Sequence, residues 1–195
     1  ADTVSVTATG TITLGSALPA IAQNLTVAGP GATALTVDAA LHGNVVFVNP
    51  GVTVSLADLT LTGGNGGLVN TGGGLHNEGI ATLTRMRLVA NRADYGGAIV
   101  NYPGAKLTMT DSTLDANIAL YGFGGAIYNL GGGTTVTISG STISNNTALN
   151  GAINSPVATS VSISNSTIAG NTGTGAGSVA GLLGGPNMTC TSCTI

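Results

Sequence analysis

The chain has 195 residues, of which 4 are Lys or Arg and 7 are Asp or Glu, and its formal net charge is −3. So few cations cannot neutralise a phosphate backbone, which excludes nucleic-acid binding. Aromatic residues make up 3% of the chain and glycine contributes 32 residues. The predicted core is therefore a thin one of Val, Ile, Leu and Ala.

Short runs of alternating apolar and polar residues recur along the chain, and β-branched residues dominate them. This period of two indicates β-strands, and no run shows the spacing of an amphipathic helix. No apolar run reaches the roughly 18 residues of a membrane-spanning helix, so no membrane span is expected. The predicted strands are residues 4–7, 11–14, 25–27, 35–37, 45–48, 52–56, 107–110, 136–139 and 161–164.

Two internal repeats share one period. Four similar segments end in Asn91, Asn117, Asn146 and Asn171, at spacings of 26, 29 and 25 residues. Between them lies a second signature, a Gly-Gly pair followed by an aliphatic strand and Asn, at residues 72–77, 96–101 and 124–129, with a degenerate copy at 150–154. Such a fixed period is the mark of a solenoid.

The repeat predicts an all-β, right-handed parallel β-helix of about seven or eight coils, because in-register coils stack parallel strands about 4.8 Å apart. We expect one domain over residues 1–195, with irregular coils in 1–50 and regular coils of about 25–29 residues in 51–195. The four terminal Asn residues are assigned to a corner, because Asn tolerates the left-handed conformation and can bond its neighbours as a ladder. The expected inward column is Leu88, Leu114, Ile143 and Ile168, and the outward column beside it is Arg87, Thr113, Thr142 and Thr167.

Residues 54–65, the Gly-Gly-Ala-Ile-Tyr-Asn run at 124–129 and the Ser-Thr-Ile-Ser-Asn-Asn run at 141–146 resemble the pectin-lyase-like β-helix repeats of bacterial surface proteins. These include the choice-of-anchor surface proteins and, more distantly, the polymorphic outer-membrane autotransporters. The resemblance covers most of the chain from about residue 11 and implies the β-helix fold. It leaves function open, because that fold carries lyases, hydrolases, adhesins and passive stalks.

Polysaccharide lyases and hydrolases need clustered acids and a nearby cation. The candidates are Arg85, Arg87, Asp111 and Asp115, and the alignment stacks Arg85 on Asp111 in the next coil. We weigh this sugar-acid subsite against the alternative of a surface ion-pair patch, and we favour the latter. His42 and His76 are the only histidines, and His76 is interpreted as a position of the repeat rather than as a base. No metal or cofactor is expected.

Aromatic and hydroxyl side chains offer two further surfaces. Tyr102, Tyr121, Phe123 and Tyr128 form either a platform for sugars or, as we favour, corner packing. The Thr113, Thr142 and Thr167 column is compatible with O-linked sugars or ice, although ice binding calls for a longer and stricter Thr-x-Thr array. Candidate N-glycosylation positions are Asn24, Asn145, Asn165 and Asn187, each of which begins an Asn-x-Ser/Thr motif.

Cys190 and Cys193 are the only cysteines. They are too far apart to pair within an extended strand, so a local disulfide requires a turn. An intermolecular bridge and free thiols are the alternatives, and a terminal staple is the first expectation.

The start at Ala1-Asp2-Thr3 suits a mature end after export, and both ends of the chain have strand-like sequence with no evident cap. Uncapped ends favour head-to-tail stacking into a fibre. The expected function is a non-catalytic extracellular or cell-surface structural protein that assembles with itself, with glycan contacts as a further possibility. The alternative is a polysaccharide lyase, hydrolase or glycan-binding module that uses the Arg/Asp coils.

Overall fold

A computed structural model describes residues 1–67, 72–155, 159–175 and 187–195. The described chain is all-β and contains no helix, and every strand pairing is parallel. The rungs stack as a parallel β-solenoid of about seven turns, which confirms the predicted fold class. Within the described ranges, no helix is long and apolar enough to cross a membrane. Segments 68–71, 156–158 and 176–186 of the predicted regular coils lie outside the described residues.

The strands follow the alternating runs of the sequence. In the first half they are β1 (Asp2–Ser5), β2 (Gly10–Thr13), β3 (Leu25–Ala28), β4 (Leu35–Asp38), β5 (Val46–Val48), β6 (Thr53–Ala57), β7 (Thr60–Thr62), β8 (Asn65–Gly66), β9 (Leu75–Asn77), β10 (Ile80–Thr84), β11 (Arg87–Val89), β12 (Arg92–Ala93) and β13 (Ile99–Asn101). In the second half they are β14 (Lys106–Thr110), β15 (Thr113–Asp115), β16 (Ile118–Ala119), β17 (Ile127–Asn129), β18 (Thr135–Ser139), β19 (Thr142–Ser144), β20 (Thr147–Ala148), β21 (Ile153–Asn154), β22 (Ser160–Ser164), β23 (Thr167–Ala169), β24 (Thr172–Gly173) and β25 (Met188–Thr191).

Four parallel sheets form the sides of the solenoid. Sheet A has eight strands, in the order β1-β3-β6-β10-β14-β18-β22-β25, and sheet B has seven, β2-β4-β7-β11-β15-β19-β23. Sheet C is β5-β9-β13-β17-β21 and sheet D is β8-β12-β16-β20-β24. The first two rungs lack a sheet D strand, so the four-sided cross-section begins at β6.

The core is a set of columns that run along the solenoid axis. Leu88, Leu114, Ile143 and Ile168 are register partners and are buried, as the sequence predicts. Sheet A supplies a parallel column, in which Leu83, Met109, Ile138 and Ile163 follow one another, all at 1% exposure or less. Each rung therefore buries the same positions as its neighbours. This burial stabilises the fold by about 25 cal/mol for each Å² of apolar surface removed from water.

The corner asparagines form a buried ladder. The Asn91 side chain donates from Nδ2 to Oδ1 of Asn117 at 3.1 Å, Asn117 donates to Asn146 at 2.9 Å, and Asn146 donates to Asn171 at 3.0 Å. Each Oδ1 also accepts the backbone N–H of the preceding ladder residue, or of Gly64 at the first step. Each Nδ2 also donates to a backbone carbonyl of the preceding rung. The amides of Asn91, Asn117 and Asn146 are thus fully bonded within the protein.

Two further polar ladders were not predicted from the sequence. Asn77, Asn101 and Asn129 bond side chain to side chain, at 2.9 and 2.8 Å, and Asn129 then donates to Ser155 at 2.6 Å. The residues Ser112, Ser141 and Ser166 accept a backbone N–H from the preceding rung and donate to the carbonyl two residues earlier. The Asn that ends each Gly-Gly repeat is the sequence signal for the first of these ladders.

The left-handed backbone at the Asn corner lies one residue earlier than the sequence analysis implied. Ala90, Ala116, Asn145 and Gly170 have positive φ angles of 54°, 54°, 55° and 65°, whereas the ladder Asn residues do not. The chain makes its turn at the exposed residue, so that the next side chain points into the core, where its amide is needed for the ladder.

We predict that Asn117→Ala strongly destabilises the solenoid. The change removes the acceptor of the Asn91 backbone N–H and of Asn91 Nδ2, and it removes the side-chain donor to Leu88 O. Asn146 Oδ1 keeps only the backbone N–H of residue 117. Each buried unpaired group costs about 1–3 kcal/mol, so after relaxation we expect a loss of about 3 kcal/mol or more in the free energy of unfolding, measured by urea titration.

The matched control is Asn145→Gly in the same corner. Asn145 is exposed and left-handed, and glycine already occupies the equivalent Gly170 position. We expect a change within about 0.5 kcal/mol. Equal losses in the two variants would show that the ladder contributes nothing specific.

Candidate functional site

Two of the charged candidates, Arg85 and Asp111, lie at one corner of sheet A, directly after β10 and β14. Register places Arg85 beside Asp111, as predicted, because the preceding residues Thr84 and Thr110 are paired. The guanidinium, however, binds Asp58 of the preceding rung through Nε at 2.7 Å and Nη2 at 2.6 Å. This hydrogen bond lowers the pKa of the Asp58 carboxyl. The contact is an exposed ion pair, with Arg85 57% exposed, of a kind that contributes little to stability.

The remaining charged candidates sit on the outer face of sheet B. Arg87 is exposed and pairs in register with Thr60 and Thr113. Asp115 accepts hydrogen bonds from Ser144 at 2.7 Å and from Asn145 at 2.8 Å. In the described part of the chain, no three His, Cys, Asp or Glu side chains group together as a metal site.

His76 lies in a ring stack on the outer face of sheet C. Phe47, His76, Val100 and Tyr128 are successive register partners. The His76 ring stacks on Phe47 at 4.0 Å and contacts Tyr102 at 4.6 Å, while Nε2 lies 2.9 Å from Oε1 of Glu78. His76 is 2% exposed, and its Nδ1 has no hydrogen-bond partner. Burial lowers the pKa of His76, and the Glu78 contact opposes that shift without cancelling it.

The predicted aromatic cluster divides into two groups. Tyr128 is in contact with Tyr95 at 5.3 Å and with Phe123 at 6.2 Å, whereas Tyr102 belongs to the His76 stack. Tyr121 is 71% exposed and makes none of these ring contacts. Both groups pack rings against one another on the sheet, and the participation of Tyr95 was not predicted.

The outer face of sheet A carries a hydroxyl array that the sequence analysis missed. Its central column has a hydroxyl residue on all eight strands, and the column two residues further along adds a second hydroxyl on five consecutive strands. The central column is Thr3, Thr26, Ser55, Thr82, Thr108, Thr137, Ser162 and Thr189. The second column is Thr84, Thr110, Ser139, Ser164 and Thr191. The signal in the sequence is a hydroxyl-x-hydroxyl motif on each sheet A strand from β10 to β25.

Sheet B presents a less regular face. The predicted Thr113, Thr142 and Thr167 column is in register and extends to Thr194, but Arg87 interrupts it on the other side. The neighbouring outward column contains Asp38, Val89 and Asp115. Charged and apolar side chains therefore break the hydroxyl pattern on this side of the solenoid.

The four candidate glycosylation asparagines are all exposed: Asn24, Asn145, Asn165 and Asn187. Asn145 and Asn165 occupy left-handed corner positions, with φ angles of 55° and 48°. Their glycosylation stays a prediction.

Apolar residues of the inward columns are exposed in the first and last rungs of the described chain. β1 and β25 each pair on one side only among the described strands. Val4 and Ile12 occupy inward positions of the first rung, yet they are 46% and 42% exposed. At the other end Ile195 follows Thr194, the partner of Thr167, so it extends the Ile168 column; it is 71% exposed.

Cys190 and Cys193 form a disulfide in the last rung, with their Cα atoms 6.0 Å apart. The required turn is at Ser192, whose φ is 55°. Cys190 continues the inward column of Ile163, and both sulfurs pack on the core.

An apolar cavity of about 270 Å³ opens at the amino-terminal end of the solenoid. Its lining includes Ile21, Val27, Val37 and Leu61, and every lining residue is apolar. The cavity therefore contains no side chain for acid–base chemistry.

Comparisons with protein-family models, with curated proteins and with solved structures found no match to this chain.

We predict that His76 makes the protein less stable in mild acid. Because the pKa of His76 is lower in the folded than in the unfolded chain, the unfolded chain binds the proton more readily, and stability falls as pH drops through the unfolded pKa. His76→Phe keeps a stacking ring without a titrating group. We expect it to flatten the dependence of the urea midpoint on pH between about pH 8 and 5.

His42→Gln is the matched control, since His42 is exposed. It should leave the pH dependence of the parent unchanged. If the urea midpoint of His76→Phe depended on pH as steeply as that of the parent, the assignment of the acid sensitivity to His76 would be wrong.

Proposed function

We propose that this chain is a non-catalytic structural protein of the cell exterior or cell surface, and that its solenoids stack end to end into a fibre. The supporting observation is that the same inward columns are open at both ends, at Val4 and Ile12 in the first rung and at Ile195 in the last. A second copy would cover this apolar surface and pair the free edges of β1 and β25.

The inward columns define how β25 of one copy would align with β1 of the next. If β25 of one copy pairs with β1 of the next as β22 pairs with β25, Cys190 lies on Val4 and Ile195 lies on Ile12. Both contacts join apolar residues of one column, and the disulfide of Cys190 supplies part of the buried surface.

Asp2 opposes association at this junction. It occupies the register position that buried Val54, Leu107 and Val161 fill in later rungs, and the proposed register sets it against Met188. A carboxylate in such a position costs free energy on burial, because no cation compensates it at the same position of the partner. An inward-pointing charge on an edge strand is a known device against uncontrolled pairing.

The placement outside the cell is likewise our proposal. A disulfide is typical of oxidising compartments, and the 4 cations and 7 acids give a weakly charged surface. The coil pattern supports a kinship with the pectin-lyase-like repeats of bacterial surface proteins, of which the choice-of-anchor type is the nearer resemblance. The exposed Asn-x-Ser/Thr asparagines would be available for glycans.

The test is negative-stain electron microscopy with sedimentation of the purified 195-residue chain, alongside Val4→Lys. We expect fibres of the parent with an axial repeat of roughly 35–40 Å, from eight stacked sheet A strands at about 4.8 Å. A lysine in the open column cannot be buried, so Val4→Lys should remain as single short rods.

Thr3→Lys is the matched control, because Thr3 lies on the same strand but faces outward. It should still form fibres, and Asp2→Ala should lower the protein concentration at which they appear. Single rods of the parent and of Asp2→Ala at every concentration would refute end-to-end assembly.

A further inference from the structure

We infer that the outer face of sheet A binds ice. The face is defined by its two hydroxyl columns, the central one on all eight strands and the second from Thr84 to Thr191. This activity is separate from end-to-end stacking, because it uses an outward face, whereas stacking uses the inward columns and the strand edges.

The two columns form a lattice. Hydroxyl residues repeat along each strand every second residue, about 6.6 Å apart, and across strands about 4.8 Å apart. Five consecutive strands carry the full pair, at Thr82/Thr84, Thr108/Thr110, Thr137/Ser139, Ser162/Ser164 and Thr189/Thr191. The pairing is one to one, without a slip in register from β10 to β25. The spacing across strands is close to the shorter repeat of oxygen atoms on a prism face of ice, and the spacing along each strand is somewhat less than the longer repeat.

The hydroxyl groups of the central column are available to water. All eight residues are exposed or partly exposed. In the described part of the chain, no side-chain hydrogen bond involves a hydroxyl of this column, whereas Thr60 and Thr62 on sheet B donate to backbone carbonyls. The second column has one internal contact, 3.3 Å between Thr110 and Ser139. Free hydroxyls beside threonine methyl groups can hold an ordered water layer that merges with an ice surface.

The chemistry of the face favours ice over other partners. Its two columns contain no charged residue, and Lys106 lies at the edge, two residues before the central column. No aromatic ring lies in either column, so the face offers no stacking platform for sugars. A rigid uncharged lattice of hydroxyls fits a crystal of uncharged hydroxyl-bearing molecules, and water ice is the simplest such crystal.

The test compares two double variants by thermal hysteresis and by the fraction of protein that enters a growing ice front. Thr108→Lys with Thr137→Lys places long charged chains at the centre of the sheet A face. Thr113→Lys with Thr142→Lys makes the same change on the same two rungs, on the outer face of sheet B. We expect the parent and the sheet B variant to show hysteresis and enter ice, and the sheet A variant to lose both properties.

Circular dichroism melting establishes that each variant is folded. If the Thr108→Lys, Thr137→Lys variant does not fold, Thr137→Tyr replaces it. Tyrosine favours β-strands, and its ring still prevents close approach to ice. Absence of hysteresis and of ice incorporation in the parent would overturn the inference, as would equal losses in the sheet A and sheet B variants. Val4→Lys, which should not form fibres, should still show hysteresis and enter ice, because its sheet A face is unchanged. Failure of fibre formation would therefore not refute ice binding, and failure of ice binding would not refute fibre formation.

Discussion

Buried amide and hydroxyl ladders are the constraint on which the rest of the molecule depends. The interior is narrow and apolar, so a polar side chain buried at a corner has no access to water. It must form hydrogen bonds with the rung above or below. Asn91, Asn117 and Asn146 meet this condition with both atoms of each side-chain amide. A shift of one residue in the pairing between two rungs would break the ladder hydrogen bonds between them. The ladders therefore fix the register of the stack.

A fixed register explains both the inside and the outside of the solenoid. The same pairing that places Leu88 on Leu114 places Arg87 on Thr113. The outer faces are therefore periodic surfaces, and their chemistry is decided by which residue each repeat places at an outward position.

The repeat made most of this predictable from the sequence. The final Asn of each segment fixed the alignment, and Leu88 and Leu114 then fell into one column because side chains alternate along a strand. Contacts beyond the repeat were not predictable in this way. Arg85 could be aligned with Asp111, but its partner Asp58 lies in the preceding rung, which the alignment did not include. The sheet A hydroxyls were not predicted because only the threonine column next to the Asn corner was considered, although the hydroxyl-x-hydroxyl motif recurs on every sheet A strand from β10 to β25.

End-to-end stacking and ice binding are linked by the same register. If Cys190 lies on Val4 of the next copy, Thr189 lies on Thr3 and Thr191 lies on Ser5, so both hydroxyl columns continue across the junction. The array weakens at β3 and β6, where Ala28 and Ala57 replace the second hydroxyl. A fibre would therefore carry stretches of the full lattice at regular intervals rather than an unbroken one. Binding to a crystal plane becomes stronger with the number of matched positions that are held together. The fibre would therefore bind ice more tightly than one copy, although neither property requires the other.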